Sequence, residues 1–240
     1  MKEPIGIIGG MGPAASQLFY RMVTEHTRAS CDQDHLDMII LNDASMPDRT
    51  SAILEGDYDP PRKELLSDAR LLQDAGCSAI AVICNTAHFF VDMIREEIDI
   101  PILHMIELAV EEISGGVADR DISEGPIKVG IMATDGTIRT RLYERELEKR
   151  GIVTYHPGMD IQREVMHQIY DRIKAGKRCD RKGFARIDED FRKAGCSHVI
   201  LGCTELSVIK KQEKLPEFYV DPMLILARKV IEFSGRTFIS

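Results

Sequence analysis

Residues 74–84 read DAGCSAIAVIC, and residues 193–203 read KAGCSHVILGC. Ala75, Gly76, Cys77, Ser78 and Cys84 recur as Ala194, Gly195, Cys196, Ser197 and Cys203, each 119 positions further on. A second match keeps the same order: Gly6-Ile7 and Gly12 in IGIIGGMGPAASQLFY recur as Gly130-Ile131 and Gly136 in VGIMATDGTIRTRLY, shifted by 124. Two matches in the same order at nearly equal displacement mark two structurally similar halves. A period near 120 residues is that of a duplicated domain and is much too long for a solenoid unit.

Each half alternates short apolar runs with amphipathic stretches, the pattern of parallel strands joined by crossover helices. In the first half the strand candidates are Ile5 to Ile8, Met38 to Leu41, Ala79 to Ile83 and Ile102 to Leu103. In the second they are Lys128 to Met132, Val153 to Tyr155, Val199 to Leu201 and Phe218 to Val220. Ile161, Val165, Ile169 and Ile173, spaced by four, predict a helix capped at Asp160 and stopped at Gly176. The stripe Leu65, Ala69, Leu72 is core. Ser114 to Pro126 is polar and reads as a surface loop, and a final helix over Leu224 to Phe233 returns the C-terminus to the first half. The expected fold is α/β: two similar domains with parallel sheets, 1–105 plus 214–240 and 106–213, related by a pseudo-two-fold axis, with crossings near 105 and 214.

With 240 residues and 44% hydrophobic positions, the chain is long enough for a large buried core. It has no run of about 18 apolar residues, and its first residues lack the apolar stretch of a signal peptide, so a cytoplasmic protein without a membrane partner is expected. A net charge of -8, with no basic run to offset it, argues against nucleic acid. Six cysteines stand at 31, 77, 84, 179, 196 and 203. The compartment argues against a disulfide framework, and the x6 spacing within each repeat differs from that of structural zinc sites, so no metal is expected. Cys31, Cys77, Cys179 and Cys196 read as small hydrophobes.

Cys84 and Cys203 differ from these because each ends an apolar run, followed by Asn85-Thr86 and by Thr204-Glu205. Ligands of open parallel sheets collect outside the carboxyl ends of strands. Paired across a pseudo-two-fold axis, the two sulfurs would face one pocket, and peptide dipoles at a helix start favour thiolate. One cysteine can then be a thiolate base while the other remains a thiol acid. Inverting a stereocentre needs this arrangement, because one proton leaves one face while another arrives on the opposite face. General acid–base catalysis is efficient when the group titrates near the working pH, as a modestly shifted cysteine does.

The segments GIIGGMGP at 6–13, PDRT at 47–50, ICNTAHFF at 83–90 and LGCTELS at 201–207 resemble the cofactor-independent aspartate/glutamate racemase family, and within it the aspartate racemases. The resemblance covers nearly the whole chain. It implies two flavodoxin-like domains, catalytic Cys84 and Cys203, and no cofactor, pyridoxal phosphate included. Related glutamate racemases carry GCTH where this chain has Glu205, so the resemblance implies aspartate as substrate, with glutamate the second choice.

The Gly9-Gly10-Met11-Gly12-Pro13 turn follows a strand and opens a helix. It matches a dinucleotide fingerprint, but no acidic residue ends a strand about 20 positions later. The preferred reading is a turn whose amides at Met11 and Gly12 hold a substrate carboxylate. Asn85, Thr86 and Thr204 serve as helix caps or as ligands of the α-carboxylate. By default Arg49 is a solvated loop cation and Lys174 a cation at a helix terminus. The resemblance instead puts both on the substrate's side-chain carboxylate. His88, one turn after Cys84, reads as a packing residue, and Glu205 as a helix-start carboxylate.

The expected partner is thus a small acidic amino acid, and the oligomeric state stays open, a homodimer included. Three alternatives remain: another reaction of the superfamily, such as maleate isomerisation or racemisation of a different amino acid; a noncatalytic two-lobed amino-acid-binding protein; and a nucleotide-dependent oxidoreductase.

Overall fold

In the computed structural model, which describes residues 3–117 and 127–240, four parallel strands make the first sheet: β1 (Ile5–Gly9), β2 (Met38–Asn42), β3 (Ala79–Val82) and β4 (Ile102–Leu103). Their order is β2-β1-β3-β4, with Ile5 of β1 in register with Met38 and Ala79. The connections carry α1 (Pro13–His26), α2 (Arg49–Glu55), α3 (Asp59–Asp74) and α4 (His88–Ile94), and α5 (Met105–Val117) follows β4. A second sheet repeats this order as β6-β5-β7-β8, from β5 (Lys128–Ala133), β6 (Val153–Tyr155), β7 (His198–Gly202) and β8 (Tyr219–Val220). Its helices are α6 (Asp135–Thr140), α7 (Leu142–Glu148), α8 (Met159–Met166), α9 (Arg181–Lys193) and α10 (Thr204–Glu213), and the last helix is α11 (Pro222–Phe233). The central strands β1 and β3 are buried throughout, as a strand covered on both faces must be, whereas edge strand β2 is partly exposed.

The repeated AGCS segment has a structural cause. Gly76, at φ +82°, ends α3: its N–H donates to Gln73 O at 2.9 Å, and Cys77 N–H donates to Leu72 O at 3.1 Å. Gly195, at φ +73°, ends α9 in the same way, with bonds to Arg192 O at 3.0 Å and from Cys196 to Phe191 O at 3.2 Å. Both are Schellman caps, in which glycine takes the left-handed conformation and the next apolar residue turns inward. The following serine enters the sheet, Ser78 N–H donating to Pro4 O and Ser197 N–H to Lys128 O. Gly6 and Gly130 recur because a crossover helix presses on each central strand. A Cβ on Gly6 would lie 3.0 Å from Leu72 Cδ1, and one on Gly130 would lie 2.4 Å from Phe191 Cδ1.

The chain divides into two compact units, Met1–Met105 with Met223–Ser240, and Ile106–Pro222. The return expected at 214 thus falls at Pro222, because β8 pairs with β7 and stays with the second sheet. Of the loop expected over Ser114 to Pro126, residues 118–126 lie outside the described residues, and Ser114 to Val117 belong to α5. The helix expected from Asp160 to Gly176 starts at Met159, with Gly158 at the capping position and Asp160 inside the first turn. It then continues as a π-helix, His167–Lys174, before Gly176 turns left-handed at φ +72°. Leu65, Ala69 and Leu72 are buried in the first unit's core. Among the described residues, no helix is long and apolar enough to cross a membrane.

Candidate active site

In the first unit Cys84 follows β3 by two residues and is a free thiol, 6% exposed. The helix after it opens later than expected: Asn85 to Ala87 form a turn and α4 begins at His88. Asn85 and Thr86 therefore lie between Cys84 and the helix, and both are buried. His88 Nδ1 donates to Cys84 O at 2.8 Å, while Nε2 accepts from Met105 N–H at 3.0 Å. Both ring nitrogens are thus engaged in a neutral tautomer that fixes the backbone beneath the thiol. Complete burial, aided by neighbouring His104, pushes this imidazole down to about 3.

A test follows from the sign of that shift. Between pH 6.5 and 3 the unfolded chain protonates this histidine and the folded chain does not, so its contribution to stability falls as pH falls through that window. From pH 6.5 to 4 the wild type should lose about 3 kcal/mol more unfolding free energy than His88→Gln. Denaturant titrations of both proteins at the two pH values check this, and equal losses would contradict it.

The glycine turn after β1 is sterically determined. Gly10 has φ +90°, and a Cβ there would lie 2.3 Å from the backbone carbon of Asp43. Its N–H donates to Ser16 Oγ at 2.8 Å. Gly12 caps α1, with Pro13 starting the helix, and Met11 is buried in the same core as Cys84. Arg49 reaches this turn. Far from being a solvated cation, it is 7% exposed and donates from Nη1 to Met46 O at 3.0 Å and Pro47 O at 2.9 Å, and from Nη2 to Met11 O at 3.4 Å.

In the second unit Cys203 directly follows β7 and occupies the capping position of α10, again 6% exposed. Its thiol makes no capping bond. Instead Sγ donates to Glu205 Oε2 at 2.9 Å, and Thr204 Oγ1 donates to the same oxygen at 3.4 Å. The other oxygen, Oε1, lies 3.5 Å from Lys174 Nζ, which also sits 5.2 Å from the centre of the Tyr170 ring. Glu205 is buried and joins thiol, hydroxyl and ammonium. Tyr143 is fully buried nearby; that burial, then the charges of Asp221 and Cys203, hold its phenol well above the usual range and so protonated. Asp221 is itself fixed by Ser207 Oγ at 2.7 Å.

Burial disfavours the thiolate at three of the other cysteines. Burial raises Cys77 and is the main cause that pushes Cys179 and Cys196 up to about 11, whereas Cys31 is exposed. Within the first unit the structure brings Met11 to Arg49, and within the second it brings Cys203, Thr204 and Lys174 together through Glu205. Glu205 and Tyr143 are the residues that sequence reasoning left out of the site.

A family model described as Asp/Glu/Hydantoin racemase matches residues 8–230. A broad specificity amino-acid racemase of Bacillus subtilis is 29% identical over 174 residues, 71% of this chain and 70% of that protein. Among solved structures, an aspartate racemase of Picrophilus torridus aligns with a TM-score of 0.79 and 28% identity, covering 99% of this chain and 96% of the other. An aspartate racemase homologue of Pyrococcus horikoshii aligns with a TM-score of 0.73 and 27% identity, covering 98% of this chain and all of the other.

Proposed function

The chain belongs to the Asp/Glu/hydantoin racemase family, and from that premise we propose that it interconverts L- and D-aspartate by proton transfer between the α-carbon and two cysteines, Cys84 and Cys203, with no cofactor or metal in the chemistry. The observation that carries this reading is the equivalence of two buried cysteines, neither in a disulfide, each just past the third strand of a parallel sheet of the same strand order. Ligands bind at that end of such sheets. The similarity to aspartate racemase structures and the GCTE sequence at 202–205 favour aspartate over glutamate.

In this account a thiolate at Cys84 takes the α-proton of one enantiomer and the Cys203 thiol returns a proton to the opposite face; the other enantiomer reverses both roles. The proton of Cys203 already points at Glu205, so a proton leaving that sulfur has an acceptor beside it. Asn85, Thr86, Thr204 and the amides of Met11 and Gly12 are assigned to the α-carboxylate, and Arg49 to the side-chain carboxylate. Lys174 was expected to share the latter role; its pairing with Glu205 supports a positioning role as well.

The basic test is a chirality assay on protein dialysed against hydroxylamine and chelator. L-Aspartate should yield D-aspartate at the undialysed rate, and faster than L-glutamate yields D-glutamate. A loss restored by pyridoxal phosphate would defeat the proposal, and equal rates with glutamate would defeat its substrate assignment. Glu205 has its own test. Glu205→Gln can still accept the S–H bond but cannot take up the proton, so kcat should fall about 100-fold with KM changed less than threefold. The pH–rate profile should shift with it. Wild-type kcat and profile would leave Glu205 a helix-start carboxylate.

A further inference from the structure

The loop that carries Arg49 begins at a group of three carboxylates. Asp43 stands just past β2, Glu64 and Asp68 lie one turn apart on α3, and one oxygen of each lies within 4.8 Å of the other two. Their partners are unevenly distributed. Asp43 Oδ1 accepts from Ser45 N–H at 3.0 Å, Ser45 Oγ at 2.7 Å and Met46 N–H at 3.1 Å, whereas its Oδ2 is buried and accepts nothing. Asp68 is only 8% exposed, and its buried Oδ2 likewise has no partner. Glu64 is exposed and leaves the group open to solvent on one side.

Two buried carboxylate oxygens without donors, beside a third carboxylate, form an arrangement that proteins relieve with a proton or a cation. A proton on one oxygen satisfies one acceptor, whereas a metal ion engages all three groups together. Carboxylate oxygens bind calcium at about 2.3–2.6 Å, so oxygens on opposite sides of one ion stand up to about 5 Å apart. That span accommodates the separation found here.

We propose that Asp43, Glu64 and Asp68 form a site for a hard divalent cation, calcium or magnesium, that ties the loop after β2 to α3. Oδ2 of Asp43 faces the ion while Oδ1 holds Met46 N–H, and Met46 O accepts from Arg49 Nη1. The ion therefore braces the segment from which Arg49 extends. It is structural and takes no part in proton transfer. Only this link to substrate rests on the proposed function; the cation site does not.

The experiment reads binding, not activity, so a failed racemase assay leaves its result intact. Chelator-treated, dialysed protein is titrated with calcium chloride and, separately, magnesium chloride, by calorimetry and by thermal unfolding. At least one ion should bind wild type saturably and raise Tm by about 5 °C at saturation. Glu64→Gln, a surface change that spares the fold, and Asp68→Asn should each weaken that affinity tenfold or more. Ion-free Asp68→Asn should melt no lower than ion-free wild type, because it removes a buried charge. Absence of heat and of any Tm shift with both ions up to 10 mM would overturn the proposal, as would equal affinity in wild type and both variants.

Discussion

Replacing either Cys84 or Cys203 by serine is expected to lower racemisation by about 1,000-fold or more in both directions, since a serine hydroxyl is far too weak an acid and base near neutral pH. The two variants should differ in what they retain. An aspartate analogue with a β leaving group needs only α-proton abstraction to eliminate, so a single working base is enough to process it. Each variant should then consume chiefly one enantiomer of the analogue, and the two should prefer opposite ones. Chiral chromatography of the residual analogue measures this. Consumption of both enantiomers by one variant and of neither by the other would mean that one cysteine abstracts protons from both, and identical preference in the two variants would mean that neither cysteine sets which enantiomer is deprotonated. The fold should survive either change, because each sulfur lies at a strand end and the Cys84 backbone is held by His88 through the carbonyl, not the thiol.

The second large effect concerns Arg49. Changing it to leucine should raise KM for aspartate about 30-fold and abolish discrimination against alanine, since a charge-assisted partner of a carboxylate is worth on the order of 2 kcal/mol. The same change leaves the carbonyls of Met46, Pro47 and Met11 without the donors that Arg49 provides, so Tm should fall as well. Arg49→Lys separates the two effects. Lysine keeps the charge but loses the planar fork, so KM should rise less than with leucine while part of the stability is lost. A lower Tm in both variants with unchanged KM would make Arg49 a loop brace alone.

The repeat was legible in the sequence because its cause is local. Ala75-Gly76-Cys77 and Ala194-Gly195-Cys196 are helix terminators, and a terminator needs a glycine at one backbone position whatever surrounds it. The strands were legible because central strands buried on both faces read as continuous apolar runs. The candidate site was readable in the sequence only where its proposed residues follow strand ends, as Cys84 and Cys203 do. Glu205 joins Cys203 to Lys174, 31 positions away in sequence, and that distance is bridged by the π-helix, which the four-residue spacing of Ile161 to Ile173 did not distinguish from an α-helix. The backbone anchoring of Arg49 was not legible, because three carbonyl partners leave no mark on composition. Asp68 did leave a signal: it follows Leu65 by three and precedes Leu72 by four, so it falls on the stripe read as core.

The two-cysteine account is tested most directly by the position of deuterium early in turnover. Wild type is incubated with L-aspartate in heavy water, and α-deuteration of the D product and of recovered L substrate is followed by chiral mass spectrometry over the first few per cent of conversion. If one cysteine removes the proton and the other supplies a solvent-derived one, the D product carries deuterium from the outset while recovered L-aspartate stays protiated. Deuterium entering both enantiomers at equal rates would point to a single base exchanging with solvent, and would contradict the assignment of Cys84 and Cys203 as separate acid–base groups.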